Sequence, residues 1–422
     1  MFKVGNHNMN VWLIVPYEPL PTIDNTGRYL RYGMFSNELA NYSHSVILWM
    51  SDFDHVRKVN RFGYTKTINI RDNFNVKLIS ASAYANNISI NRIKHNLQLA
   101  TNFIEEANTQ REKPDIIFAC LPTLELAENA VLFAKRVGVP IVIDVVDIWP
   151  DVYLSAFPKV LQSAGRFILT SEFYRAKRIL RNATAITAVS KTYLSWALKH
   201  AGRVKKMEDK IFPLGYTICM SVTNEIGAWQ EAFKERYKIA SDTILVTFIG
   251  QFAKSYDLET VIKAASQFTN NHKLKFILAG DGDKVEKLKK MAEGMDNVIF
   301  TGWLNHAAMS GLLSMTSIGL ASYSDRALQS LPYKPFEYMA YSLPILSSLN
   351  GEFKEIIEGE KIGKYYNALD VNSFCNALHW LLENSDLRTE MGSRAKRLFD
   401  QKYNSKVIYA DMVSYLENFF PH

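Results

Sequence analysis

Cysteine is scarce in this chain: Cys120, Cys219 and Cys375 lie far apart and no Cys-x-x-Cys pair occurs. Neither a disulfide framework nor a zinc site is therefore indicated. No secretory leader is recognisable at the N-terminus, so the expected location is the cytoplasm. The longest apolar runs, Val11 to Tyr17 and Val139 to Ile143, fall far short of the roughly 20 residues a spanning helix needs. No basic run is interleaved with stacking aromatics and no zinc-finger or RNP-type signature occurs, so nucleic acid is not an expected partner. The G-x-G-x-x-G register is missing as well. Gly280-Asp281-Gly282 follows an apolar strand without it, and the first strand runs into Pro16, Pro19 and Pro21, which argues against a nicotinamide cofactor. Asp52-Phe53-Asp54 imitates a D-x-D metal motif, but it stands just after a strand and reads as a solvated loop.

What is present is a 422-residue chain, 48% hydrophobic, which at roughly 150 residues per domain suggests two domains. Charge is unevenly spread. Residues 1–210 hold 27 Lys and Arg against 18 Asp and Glu, and residues 211–422 hold 22 against 24, so the halves carry +9 and −2. A cationic front half points to an anionic surface or substrate met by the first domain.

The pattern is α/β. An apolar strand at 9–17, a helix at 27–42 and a strand at 45–50 open the chain, and the alternation recurs through 115–120, 122–137, 140–147 and 185–190. A second series begins at 243–250 and continues through 273–280, 297–302, 317–323 and 344–348. Alternating strands and helices imply parallel sheets covered on both faces, here two doubly wound domains. The expected divisions are 1–212 and 213–400, with a helical tail whose last part, 401–422, packs back on the first domain. The segment 160–181 mixes apolar and basic positions at helical spacing, with Arg166, Arg175, Lys177 and Arg178 among them. It suits either an interfacial helix or an ordinary amphipathic one.

The densest chemistry lies in Ser330-Leu-Pro-Tyr-Lys334-Pro-Phe-Glu337, where a cation and a carboxylate open a short apolar helix that leads into the strand at 344–348. Unpaired N–H groups and the positive dipole end of such a helix, with Lys334 beside them, suit a diphosphate. Glu337 can accept both hydroxyls of a ribose. The same residues also suit a plain helix start, with Pro332 and Pro335 in the first turn and Phe336 and Met339 inside.

Two tandem Rossmann-like domains, the second ending in this helix, resemble the GT-B glycosyltransferases, in particular the retaining enzymes of family 4. Further matches are Asp147-Ile-Trp-Pro-Asp151, Asn25-Thr-Gly27-Arg28, His44, Gly250-Gln-Phe-Ala-Lys254, Ala279-Gly-Asp-Gly282, Phe300-Thr-Gly-Trp303 and Gly351-Glu352. The Asp-aliphatic-Trp-Pro-acid block resembles the bacterial O-antigen and capsule enzymes that add N-acetylated amino or deoxyamino sugars, the N-acetyl-fucosamine type among them. The resemblance implies domains facing across a cleft and a UDP-sugar donor held by Gly27, Gly250, Lys254, Gly282, Trp303, Lys334 and Glu337. Asp147, Lys254 and Gln329 are the implied catalytic positions. Gln329 stands where the family's paired-glutamate pattern has a second carboxylate, with seven residues between it and Glu337. A polyprenyl-linked saccharide acceptor would meet the first domain through Arg28, Arg31, Arg166, Arg175, Lys177 and Arg178, peripherally on the anionic inner face of the plasma membrane. No cofactor and no metal are implied. A UDP-N-acetylhexosamine 2-epimerase of the same double-domain shape and a non-enzymatic sugar-binding protein are the rival readings.

Overall fold

A computed structural model of the chain describes residues 8–24, 28–154, 157–218 and 223–420. The chain forms two compact units: Met1–Pro213 together with Ile408–His422, and Leu214–Val407.

The first unit contains strands β1 (Asn10–Ile14), β2 (Ser45–Ser51), β3 (Phe53–Asp54), β4 (Val59–Asn60), β5 (Lys66–Arg71), β6 (Phe74–Ile79), β7 (Ile116–Leu121), β8 (Ile141–Val145), β9 (Ala185–Ala188) and β10 (Lys210–Ile211). Among the described residues, eight of them form one sheet in the order β10-β9-β8-β7-β1-β2-β6-β5. All its pairs are parallel except β5 with β6. β1 lies between β2 and β7, so the winding reverses there. In parallel sheets of this kind ligands gather beyond the carboxyl ends of the strands at such a reversal. β7 and β8 are buried at every position, as continuous apolar runs in a doubly covered sheet must be.

The Ser405–Glu417 helix supplies Ile408, Tyr409, Met412, Val413 and Leu416 to the core under β1, β2 and the Arg31–Asn41 helix. That core therefore draws on both ends of the sequence.

Asp52 and Asp54 are not solvated. Both are buried around the β3–β4 hairpin. Asp52 accepts the N–H groups of Phe62 and Gly63 at 3.0 and 2.7 Å, and Asp54 accepts those of Val56 and Arg57 at 2.8 and 2.9 Å. These carboxylates saturate a tight turn, which is why a polar-looking stretch sits inside.

The segment 160–181 is also not one helix. It breaks at Leu169 into Gln162–Ile168 and Thr170–Asn182.

The second unit contains β11 (Ile244–Ile249), β12 (Leu274–Ala279), β13 (Val298–Gly302), β14 (Ile318–Ala321), β15 (Ile345–Ser347) and β16 (Gly363–Tyr365), ordered β13-β12-β11-β14-β15-β16 and wholly parallel. Its winding reverses between β11 and β14. Side chains cap several of its helices. Asp257 accepts the Thr260 N–H at 3.2 Å to start Leu258–Ala265, and Asn305 accepts the Ala308 N–H at 2.9 Å to start His306–Met315. Among the described residues no helix is long and apolar enough to cross a membrane. Both units are Rossmann-like, and together they give the GT-B architecture with a helical C-terminal tail.

Candidate active site

The loops leaving β11 and β14 converge with the Tyr333–Ala340 helix at the winding reversal of the second unit. Pro332 occupies the N-cap and no side chain caps this helix, whose positive dipole end opens at Lys334. Lys334 is only 6% exposed. Its ammonium lies 4.1 Å from the centroid of Phe248, at the end of β11, and 5.0 Å from that of Tyr256. Burial pushes its pKa down to about 8, and the negative charge of Glu337, one turn on, opposes the shift. Tyr338, on the same helix, donates its hydroxyl to the Leu320 carbonyl of β14 at 2.9 Å and accepts the Ile249 N–H at 3.3 Å. The helix is thereby clamped to both strands that flank the reversal.

Two glycines are required by the crowding around this point. At Gly250, φ is +143° and an added Cβ would stand 2.4 Å from the Lys334 ammonium. At Gly280, φ is +141° and a Cβ would stand 1.9 Å from the Gly250 carbonyl oxygen. The loops after β11 and β12 are thus pressed together, with Gly282 against the Phe252 backbone and the Phe252 N–H donated to the Asp281 carbonyl at 2.8 Å. Lys254 is exposed in the loop after β11. Trp303, 78% exposed, opens the loop after β13. Gln329 is half-buried, and its side-chain oxygen is enclosed without a hydrogen-bond partner among the described residues. Beside it Ser330 donates to the buried carboxylate of Glu352 at 3.2 Å. Sequence reasoning gave the Ser330–Glu352 pair no role, and the only signal for it is the Gly351-Glu352 dipeptide at a helix start.

In the first unit Asp147 follows β8, half-buried, accepting the Ile148 N–H at 2.9 Å. Burial pushes its carboxyl pKa up, while the Ile148 and Trp149 N–H groups act the other way. Gly27 lies outside the described residues, and Arg28 is half-buried close behind it.

Arg31 corrects the sequence expectation. It is not an acceptor- or membrane-facing cation but is 3% exposed, donating to both oxygens of Asp144 at 2.8 and 3.1 Å and to the Pro213 carbonyl at 2.9 Å. Asp144 also accepts from Tyr32 at 3.0 Å and Thr187 at 2.7 Å. A carboxylate with four donors on it belongs to the core.

Arg175 and Arg178 need correction too. Arg175 has Glu172, Glu128 and Glu125 at 2.8, 3.1 and 3.7 Å, and Arg178 is paired with Glu128, so their charge is matched locally. Arg166 and Lys177 stay exposed, and Val160, Phe167, Ile168 and Tyr174 stand out beside them.

Residues 230–398, most of the second unit and all of this site in it, match the family model for glycosyl transferases group 1. The matched segment contains Lys334, Glu337 and the pressed glycine loops. Among curated proteins, the chain is 25% identical over 209 residues to the putative colanic acid biosynthesis glycosyl transferase WcaI of Escherichia coli (strain K12), covering 49% of this chain and 50% of that protein. It is 24% identical over 178 residues to the N-acetyl-alpha-D-glucosaminyl L-malate synthase of Bacillus anthracis, covering 42% and 45%. The chain therefore matches about half the length of these curated relatives. Solved structures extend the likeness of fold to nearly the whole chain. The sucrose-phosphate synthase of Thermosynechococcus elongatus superposes with a TM-score of 0.70 at 16% identity, over 98% of this chain and 99% of that one. Anabaena HepE in complex with UDP-glucose gives 0.65 at 13%, over 97% and 100%. WaaG, a glycosyltransferase involved in lipopolysaccharide biosynthesis, gives 0.63 at 13%, over 96% and 98%.

Proposed function

We propose that this protein is a retaining, metal-independent glycosyltransferase of family 4 that moves an N-acetylated amino or deoxyamino hexose from a UDP donor to a lipid-linked oligosaccharide during O-antigen or capsule assembly. The observation that carries the reading is Lys334, a buried ammonium beside the uncapped start of the Tyr333–Ala340 helix, at the winding reversal, with Gly250 against it. A cation over two rings at the positive dipole end of a helix forms a receptor for a diphosphate. Glu337 accepts the ribose hydroxyls, and exposed Lys254 adds charge from the neighbouring loop. Gly282 and Trp303 border the donor.

Retention follows from a loosely dissociative transition state in which the departing diphosphate takes the acceptor proton on the same face, so the protein supplies position and positive charge. Asp147 orients the acceptor hydroxyl, and the enclosed oxygen of Gln329 is matched by a hydroxyl of the transferred sugar. Arg28, Arg166 and Lys177 are among the cations of the first unit that meet an anionic acceptor or inner-leaflet lipid, where each contributes about 1 kcal/mol near the surface. The amino-sugar and surface-polysaccharide assignment is supported by the WcaI and malate synthase relatives.

The test is calorimetric. Lys334→Met and Glu337→Ala should each weaken UDP binding by roughly 1–3 kcal/mol, the cost of losing a hydrogen bond to a charged group. Unchanged affinity in both rejects the donor site. Incubation with UDP-N-acetylglucosamine alone separates the epimerase, because epimer formed without acceptor defeats the transferase reading.

A further inference from the structure

The carboxyl edge of the first unit's sheet, beyond β1, β2 and β6, holds a second cluster that the donor chemistry does not use. Tyr17 follows β1, His55 sits in the β3–β4 turn, Tyr84 follows β6, and Arg92 lies in the first turn of the Ile90–Thr109 helix. Two cations share one ring: the Lys58 ammonium is 4.8 Å and the Arg92 guanidinium carbon 5.7 Å from the centroid of Tyr84. Arg92 also lies 5.0 Å from the ring of Trp149, in the same block as Asp147. Asn87 holds both, accepting Lys58 on its side-chain oxygen at 2.5 Å and Arg92 on its carbonyl at 2.7 Å. The Arg92 Nε is buried without a hydrogen bond.

Neither cation forms an ion pair with a carboxylate among the described residues. The neighbouring Asp54 is committed to the N–H groups of Val56 and Arg57. Burial first, then Lys58 and Arg92, push the His55 imidazole down to about 4 against the opposing charge of Asp54. The backbone is held against preference as well, since Lys58 has a φ of +61°, where a non-glycine residue is strained. Two like charges brought together over rings in a strained turn define an anion subsite. Its surroundings are apolar and exposed: Val56 and Ile88 in the flanking loops, and Ile90, Ile93 and Leu97 along one face of the helix that carries Arg92.

We infer that Lys58 and Arg92 hold the diphosphate of a lipid-linked acceptor, with the exposed Val56, Ile88, Ile90 and Ile93 side chains against the first carbons of its lipid chain. This rests on the acceptor assignment proposed for the first unit and deepens it. Charge complementarity selects a doubly charged head group, and the branched apolar rim selects an attached hydrocarbon. Trp149, packed against Arg92, then ties the Asp147 block to acceptor placement.

The probe is geranyl diphosphate, titrated into the full chain with UDP at saturation so that the donor site cannot take it. Binding is expected, with affinity reduced tenfold or more in Lys58→Met and in Arg92→Met, largely kept in Lys58→Arg and Arg92→Lys, and absent for geraniol. Geraniol binding as tightly as geranyl diphosphate overturns the inference. So does wild-type affinity in both methionine variants, or binding of methyl glucuronide without any of geranyl diphosphate. UDP affinity and melting temperature, measured on the same preparations, report folding and test the donor reading separately. A wild-type chain that binds geranyl diphosphate but not UDP defeats the donor reading alone.

Discussion

A lysine enclosed by two aromatic rings stands near the limit of keeping its proton, and Lys334, at about 8, sits within reach of ordinary assay conditions. A diphosphate arriving beside it favours the charged form. UDP affinity should therefore fall as pH rises above about 8, by up to tenfold per unit, with proton uptake on binding. Calorimetry at pH 7 and pH 9 in buffers of different ionisation enthalpy checks both, and Lys334→Met should flatten the dependence. Glu18 is the acidic counterpart. It is buried and accepts the Leu30 N–H at 2.5 Å, and desolvation pushes its pKa up to about 8 despite the N–H groups of Gly33, Leu30 and Tyr32. The folded chain thus holds a proton that the unfolded chain releases near the ordinary glutamate value. This contribution to stability is full below about 4.5 and is lost as pH rises through about 8. Glu18→Gln does not titrate, so in denaturant titrations the wild type should lose stability relative to this variant as pH rises across that window. The role of Glu18 and the burial of Arg31 were not legible in the sequence. A single Glu gives no sign of which N–H groups it meets, and Arg31 looked like a surface cation because its partner Asp144 is 113 positions away.

Elements were legible in proportion to how apolar they are. The runs that became β7, β8, β11 and β12 announce buried parallel strands, and the sequence pattern placed them within a residue or two. Residues 52–54 read as a solvated loop and 55–114 carried no assigned element, because β5 alternates polar and apolar positions at a sheet edge, and because the β3–β4 hairpin is held by carboxylate-to-backbone bonds that a hydropathy pattern does not register. The break at Leu169 was hidden for a related reason, since nothing in the spacing of apolar positions marks it. Caps show how one residue anchors an element. Asp257 starts the Leu258–Ala265 helix and also accepts the Leu369 N–H at 2.9 Å from a loop 112 residues on. Asp257→Ala should lose the cap, at about 1 kcal/mol, and strand a half-buried N–H, at about 1–3 kcal/mol more. A guanidinium melt showing less than 1 kcal/mol lost would contradict this double role.

At the scale of the molecule, the division into a cationic and a mildly acidic half was readable from charge counts, and the strand rhythm foretold two parallel sheets. The helix that carries Lys334 and Glu337 was legible too, because the two are neighbours in sequence, whereas the Lys58, Tyr84, Arg92 and Trp149 cluster is assembled from four separate stretches. The first unit's core takes five fully buried side chains from the Ser405–Glu417 helix. At about 1.5–3 kcal/mol for each large apolar side chain, their removal costs roughly 10 kcal/mol, comparable to the whole stability of an ordinary domain. Met1–Pro213 expressed alone should lack a cooperative thermal transition and dispersed amide resonances. A sharp melt of that fragment would show the tail to be dispensable.

Synthesis on the ribosome gives that dependence a temporal side. The amino-terminal sheet emerges first, yet the residues that seal its underside are translated only after the entire second unit, so for most of elongation its greasy face is uncovered. The earliest-made part of the protein is consequently the last to mature, and nascent chains stalled before residue 408 should be the ones that chaperones hold.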